Sequence, residues 1–167
     1  MKKISIIALG VLLSGLIPVF AQDVKFTALL IVNFAKYVGW PVDSQKGDFV
    51  ITVLGDDPVV EELQAAGQNT AIGDQKIVVK KALSLDRVER CNILYISPDK
   101  SNSLTSALGK FPASTLVVTN KDGLAKEGSG INIVMIDGKM RFEINVESLK
   151  KSGLTAKPVL FKLGKSV

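Results

Sequence analysis

Gly130-Ile131-Asn132-Ile133-Val134-Met135-Ile136-Asp137-Gly138-Lys139-Met140-Arg141-Phe142-Glu143-Ile144-Asn145 reads as two alternating strands around a two-residue turn. Asp137-Gly138 is a hairpin signature, because both central positions of such a turn need a backbone that tolerates positive φ. Pairing outward from it matches Met135 with Met140, Ile133 with Phe142 and Ile131 with Ile144 on one face. The other face receives Val134 with Arg141 and Asn132 with Glu143. A single register thus yields one apolar face and one wetter face, and a slip of one residue would invert both. Gly128-Ser129-Gly130 lacks the spacing of a phosphate-binding fingerprint and precedes a strand, so it reads as a bend into the hairpin.

Upstream, short apolar runs alternate with amphipathic stretches. Strands are expected at Phe49 to Leu54, Lys76 to Lys80, Asn92 to Ile96 and Thr115 to Thr119. Gly55-Asp56-Asp57-Pro58 turns the first of these into a helix from Val59 to Ala66, with an aspartate as cap and Pro58 in the first turn. Ser97-Pro98 opens another helix to about Leu108, and Leu124 to Lys126 forms a short helical or looped piece. Downstream, Val146 to Ser152 is a helix, and Pro158 to Leu163 a final helix or turn. Alternating strands and helices predict a parallel sheet covered on both faces. The expected fold is therefore an α/β three-layer, Rossmann-like sandwich, with a mostly parallel sheet of five or six strands and the hairpin as its antiparallel edge.

Asp23 to Val38 reads as a helix that ends at Trp40-Pro41, because proline biases its predecessor away from helical geometry. On a helical wheel Lys25, Val32 and Lys36 share a wedge of roughly 40°, while Phe26, Leu30, Phe34 and Tyr37 lie opposite. A helix this apolar is normally buried on two sides. One side is expected to meet the sheet and the other a second chain, with Lys25, Leu29, Val32, Lys36 and Trp40 as the expected partner contacts.

Before this helix, Met1-Lys2-Lys3 and the uncharged run from Ile4 to Phe20 have the form of a secretory signal, and Val19-Phe20-Ala21 suits cleavage before Gln22. Residues 1–21 are thus the expected leader and 22–167 a single exported domain. Lys2 and Lys3 would leave with the leader, so the 21 basic and 16 acidic residues of the chain become 19 and 16, a net charge of +3. The basic residues are scattered without a clustered stripe, so nucleic acid is not an expected partner.

Composition also removes chemistry. There is no histidine, so the commonest general base and transition-metal ligand is missing. Cys91 is the only cysteine, which excludes an intramolecular disulfide and a multi-cysteine zinc site. In its apolar run it reads as a small buried hydrophobe. No cofactor, metal or catalytic residue is expected. In a sheet ordered second strand, first, third, fourth, fifth, the switch-point crevice would be lined by Gly55, Asp56, Asp57 and Ser97. Those residues are the candidate small-molecule site, although turn and cap roles explain them with fewer assumptions.

Asp23-Val24-Lys25, the segment Asn33-Phe34-Ala35-Lys36-Tyr37-Val38-Gly39-Trp40-Pro41, Val53-Leu54-Gly55-Asp56-Asp57-Pro58, Cys91-Asn92-Ile93-Leu94-Tyr95-Ile96, Gly130-Ile131-Asn132-Ile133, Arg141-Phe142-Glu143-Ile144-Asn145 and Gly153-Leu154 occur in that order. In these motifs the chain resembles the YfiR-like family of periplasmic proteins. The resemblance implies a non-enzymatic periplasmic regulator that binds the periplasmic part of a membrane diguanylate cyclase and restrains it, lowering cyclic di-GMP and biofilm formation. Related domains fused to sensor kinases imply extracytoplasmic sensing as the broader role. The resemblance thus implies a membrane signalling protein as partner, while the apolar first helix admits a second copy in a homodimer and the strand-end crevice a small molecule; an extracytoplasmic small-molecule binding module using that crevice is the alternative function. The extra cysteines behind a disulfide switch in some members are absent, and the usual glycine pair before the hairpin is Ser129-Gly130 here.

Overall fold

The computed structural model describes residues 19–111 and 113–167. The expected leader lies outside the described residues except for its last three positions, which open the first helix. In chain order the elements are α1 Val19–Tyr37, β1 Val38–Gly39, β2 Phe49–Leu54, α2 Val59–Gln68, β3 Ala71–Ile72, β4 Gln75–Ala82 and β5 Ile93–Ile96. They continue with α3 Leu104–Lys110, β6 Leu116–Thr119, β7 Ile131–Ile136, β8 Lys139–Ile144, α4 Val146–Lys151, β9 Thr155–Ala156, α5 Pro158–Leu163 and β10 Lys165–Ser166. No helix among the described residues is long and apolar enough to cross a membrane.

The main sheet has the order β10-β8-β7-β6-β5-β2-β4-β3. β4, β2, β5, β6 and β7 run parallel, in the order that puts the switch-point crevice after β2 and β5, and β8 returns antiparallel from β7. The register of that hairpin matches the sequence reading at every pair from Ile131↔Ile144 to Met135↔Met140. Asp137 and Gly138 have φ of 50° and 70°, the backbone the two-residue turn demands. The wetter face is wetter only on β8: Asn132 and Val134 of β7 are buried.

Central strands are apolar on both faces because both faces are covered. Phe49, Ile51 and Val53 of β2, Ile93 and Tyr95 of β5, and Leu116 and Val118 of β6 pack beneath α1 and α2. The alternate residues Leu54, Leu94, Ile96 and Val117 pack with Leu104 and Ala107 of α3. The segment after Ser97 is less regular than predicted, with a 3-10 helix over Pro98–Ser103 preceding α3.

The chain before the hairpin bends because Gly130 lies tight against the sheet. A Cβ there would meet Leu116 Cδ1 at 2.9 Å and Leu149 Cδ2 at 3.2 Å. Ser129 has no such restriction, and its buried hydroxyl donates to Ile131 O at 2.8 Å and accepts from Thr119 Oγ1 at 2.8 Å. Serine at this place is therefore an anchoring hydroxyl in a satisfied polar network with Thr119 and Asn132.

Candidate functional site

The first candidate surface is the outer face of α1. Its inner face, Ala28, Ile31, Phe34 and Ala35, is buried against the sheet, and Phe34 meets the Phe142 ring edge-on at 5.0 Å. Gln22, Lys25, Phe26, Leu29, Asn33 and Lys36 recur at spacings of three and four and form one exposed stripe. Phe26 and Leu29 are each 45% exposed, so two large apolar side chains stand in the middle of that stripe. Between α1 and α2 runs a groove of about 260 Å³, bordered by Lys25, Ala28 and Leu29 on one side and Glu62, Ala65 and Ala66 on the other.

This arrangement divides the predicted contact set. Lys25, Leu29 and Lys36 are exposed, whereas Val32 is only 4% exposed and belongs to the core beside α2. Phe26, assigned by the wheel to the side opposite the lysines, is on the exposed stripe instead. The helix is rotated relative to the expectation because a lysine need not sit at the centre of an exposed face; its stem can lie along an apolar margin while the charge reaches water.

Trp40 is half-buried and makes structural contacts. Its Nε1 donates to Ala35 O at 2.9 Å, and its ring stands edge-on to Phe49 at 5.0 Å. Beside it Val38–Gly39 pairs with Thr155–Ala156, and a Cβ on Gly39 would collide with the Thr155 side chain. The segment from Asn33 to Pro41 thus fastens α1 to the sheet and to the C-terminal part of the chain.

The second candidate is the strand-end crevice. The fold brings Gly55, Asp56, Asp57 and Ser97 to the carboxyl ends of β2 and β5, as predicted, but their groups are already engaged by the protein. Asp57 Oδ1 accepts from Val59 N at 2.9 Å and caps α2. Ser97 is buried, donates to Leu54 O at 2.7 Å and also bonds Asp99. Asp56 pairs with Lys81, and the hydrogen bond and charge of that lysine hold the carboxyl below its usual range. Tyr95 Oη donates to Asp57 Oδ2 at 3.4 Å, while burial, followed by the charge of Asp57, pushes the phenol pKa up. These contacts fulfil turn and capping roles.

Cys91 is buried at the start of β5. Burial pushes its thiol pKa from 9.0 to about 11, against a smaller opposing contribution from a Thr52 hydrogen bond. The raised value makes the thiol unreactive at neutral pH. It also predicts a pH dependence: the folded state resists ionisation, so this contribution to stability is intact below pH 9 and is lost as pH rises to about 11. Urea unfolding across that window should show a loss of order 2 kcal/mol in the wild type relative to Cys91→Ala. Parallel curves for the two proteins would refute the assignment.

Comparison with known proteins follows the same outline. A sequence profile of the family described as YfiR/HmsC-like matches residues 24–165. No curated protein matches the chain. Among solved structures, the crystal structure of the ABC domain in complex with L-Trp from Streptococcus pneumonia superposes with a TM-score of 0.54 at 13% identity. The alignment covers 84% of this chain and 60% of that one, so the present chain spans less than two thirds of the neighbour's length. At that identity the likeness is one of fold.

Proposed function

This chain belongs to the YfiR/HmsC-like family, whose members regulate a diguanylate cyclase in the periplasm, and from that membership we propose that it is itself a periplasmic, non-enzymatic regulator acting by protein contact. Its partner in this reading is the periplasmic part of a membrane signalling protein, a diguanylate cyclase or a sensor kinase. The outcome is control of cyclic di-GMP and of biofilm formation. The supporting observation is the outer face of α1, where Phe26 and Leu29 stay exposed on a helix whose opposite face is sunk into the core. Exposed large apolar side chains with a polar rim are the usual anchors of a protein interface. Gln22, Lys25, Asn33 and Lys36 supply that rim.

Capture from detergent-solubilised membranes, with the bound protein identified by mass spectrometry, tests the reading. The wild type should retain a membrane cyclase or kinase, and Leu29→Asp should weaken capture by about tenfold or more, the cost of losing one anchor. Because Leu29 lies on the surface, its thermal transition should move little. Failure of the wild type to retain any membrane signalling protein, or equal capture by the variant, would sink the proposal.

A further inference from the structure

Positive charge and exposed apolar surface gather at one edge of the sheet. Residues 139–167 carry seven lysines and arginines against two acidic residues, whereas residues 22–138 carry twelve against fourteen. The positive excess of residues 22–167 therefore lies wholly after the hairpin turn. Those last residues include β8, β10 and α5, and β10 and β8 are the terminal strands of the sheet. Lys139, Arg141, Lys157, Lys162 and Lys165 are exposed, and none has an ion-pair partner among the described residues.

The same edge holds five of the nine large apolar side chains that stay exposed among the described residues. Met135 and Ile136 stand beside the hairpin turn, Phe161 and Leu163 on α5, and Val167 after β10. Leu163 is the barest of the five, at 62% exposed. The scaffold beneath them is fixed. Leu160 takes the inward position of α5 and joins the core that contains Phe34 and Phe142. Lys157 Nζ donates to Lys36 O at 3.1 Å, and Val167 N donates to Ile144 O at 3.0 Å. With Leu160 inside, Phe161 and Leu163 are held outward.

We infer that this edge docks on an anionic lipid surface, with Phe161 and Leu163 entering the headgroup region and the cations donating to lipid phosphates. The charge of the edge complements such a surface, and the alternation of apolar and basic residues along Phe161-Lys162-Leu163-Gly164-Lys165 has the composition of an interfacial anchor. A lysine beside an apolar anchor lays its stem in the apolar layer and keeps its ammonium at the phosphates. A protein partner would need a surface shaped to these projecting side chains, whereas a fluid interface closes around them. Because α5 packs against α1, docking by this edge leaves the exposed stripe of α1 beside the membrane.

Co-sedimentation with vesicles of phosphatidylcholine, alone or with roughly one-third phosphatidylglycerol, tests the docking. No partner protein is present, so the outcome is separable from that of the capture experiment. Wild type and variants share one N-terminus, so whatever precedes Gln22 contributes equally to all. Anionic vesicles should bind the wild type about tenfold more strongly than neutral ones, and about 0.5 M salt should remove most of the difference. Lys162→Glu combined with Lys165→Glu should weaken binding about tenfold or more, and Leu163→Ser, which leaves the charge unchanged, about threefold. Lys46→Glu combined with Lys76→Glu makes the same change in net charge away from the edge and should weaken it less than about twofold. All these side chains are exposed, so melting temperatures should hold. Equal losses in the two double variants would show that net charge alone drives association and would overturn the site. So would the absence of any preference for anionic vesicles, or binding to soluble polyglutamate without binding to vesicles, which would mark an acidic protein as the occupant.

Discussion

Replacing Phe34 with alanine should lower stability by about 3–5 kcal/mol, the usual cost of truncating a fully buried aromatic residue. Phe34 has no exposed surface and holds α1 against the edge of the sheet through the Phe142 ring. The cavity has little scope to collapse, because Gly164 presses on the opposite part of that ring so closely that a Cβ there would collide with it. In a domain of this size each kcal/mol moves the melting temperature by about 3 °C, so a fall of roughly 10 °C is expected. Urea unfolding monitored by circular dichroism measures it directly. Phe34→Leu should recover most of the loss, since a leucine keeps much of the buried volume. A Phe34→Ala protein within about 1 kcal/mol of wild type would mean that α1 is not docked as described.

Gly55→Ala should cost about 2–3 kcal/mol, from two sources that the same experiment separates. Its φ is 126°, a conformation in which any L side chain is strained, and a Cβ there would overlap Ser97 Oγ and lie 3.0 Å from Asp99 Oδ1. Gly55 cannot swing aside freely, because its N–H donates to Ala82 O at 2.9 Å at the end of β4. In a Ser97→Gly background the overlap with the serine side chain disappears and the backbone strain and the tight Asp99 contact are left, so the cost of Gly55→Ala should shrink. Additive losses, within about 0.5 kcal/mol, would contradict the close approach. Because Ser97 is engaged by Leu54 O and Asp99 within the fold, both changes should register in stability.

Part of this molecule is readable locally. The β7–β8 register follows from Asp137-Gly138 and the flanking alternation, since both act over a few residues. The α2 cap is readable for the same reason: an aspartate ahead of a proline and an apolar run bonds the helix's own first amides. β3 and β10 gave no such signal. Each is two residues long, and β10 forms only because the chain returns from α5 to lie beside Glu143 and Ile144. Similarly, no local rule distinguishes Val32 from Leu29 on α1. Both are aliphatic, and the approach of α2 on one flank makes Val32 core and leaves Leu29 outside.

The candidate sites divide along the same line. Composition alone removed histidine chemistry and disulfides, and ordered motifs over most of the chain were sufficient to reveal the family. Residue types also marked Gly55, Asp56, Asp57 and Ser97 as neighbours at the strand ends. That the polar groups of Asp57 and Ser97 are engaged by Tyr95 and Leu54 depends on distances between segments some 40 residues apart. The anchoring of the loop around Ser44 had no sequence signature, because the amides that bond its carbonyl belong to Gln75 and Asn92, 31 and 48 residues away. The main helices and strands and the hairpin register were determined by the sequence through short-range sterics, hydrogen bonding and apolar periodicity. Which face of α1 is left open, and what anchors the loop around Ser44, was decided only by tertiary packing, since both depend on where distant segments come to lie.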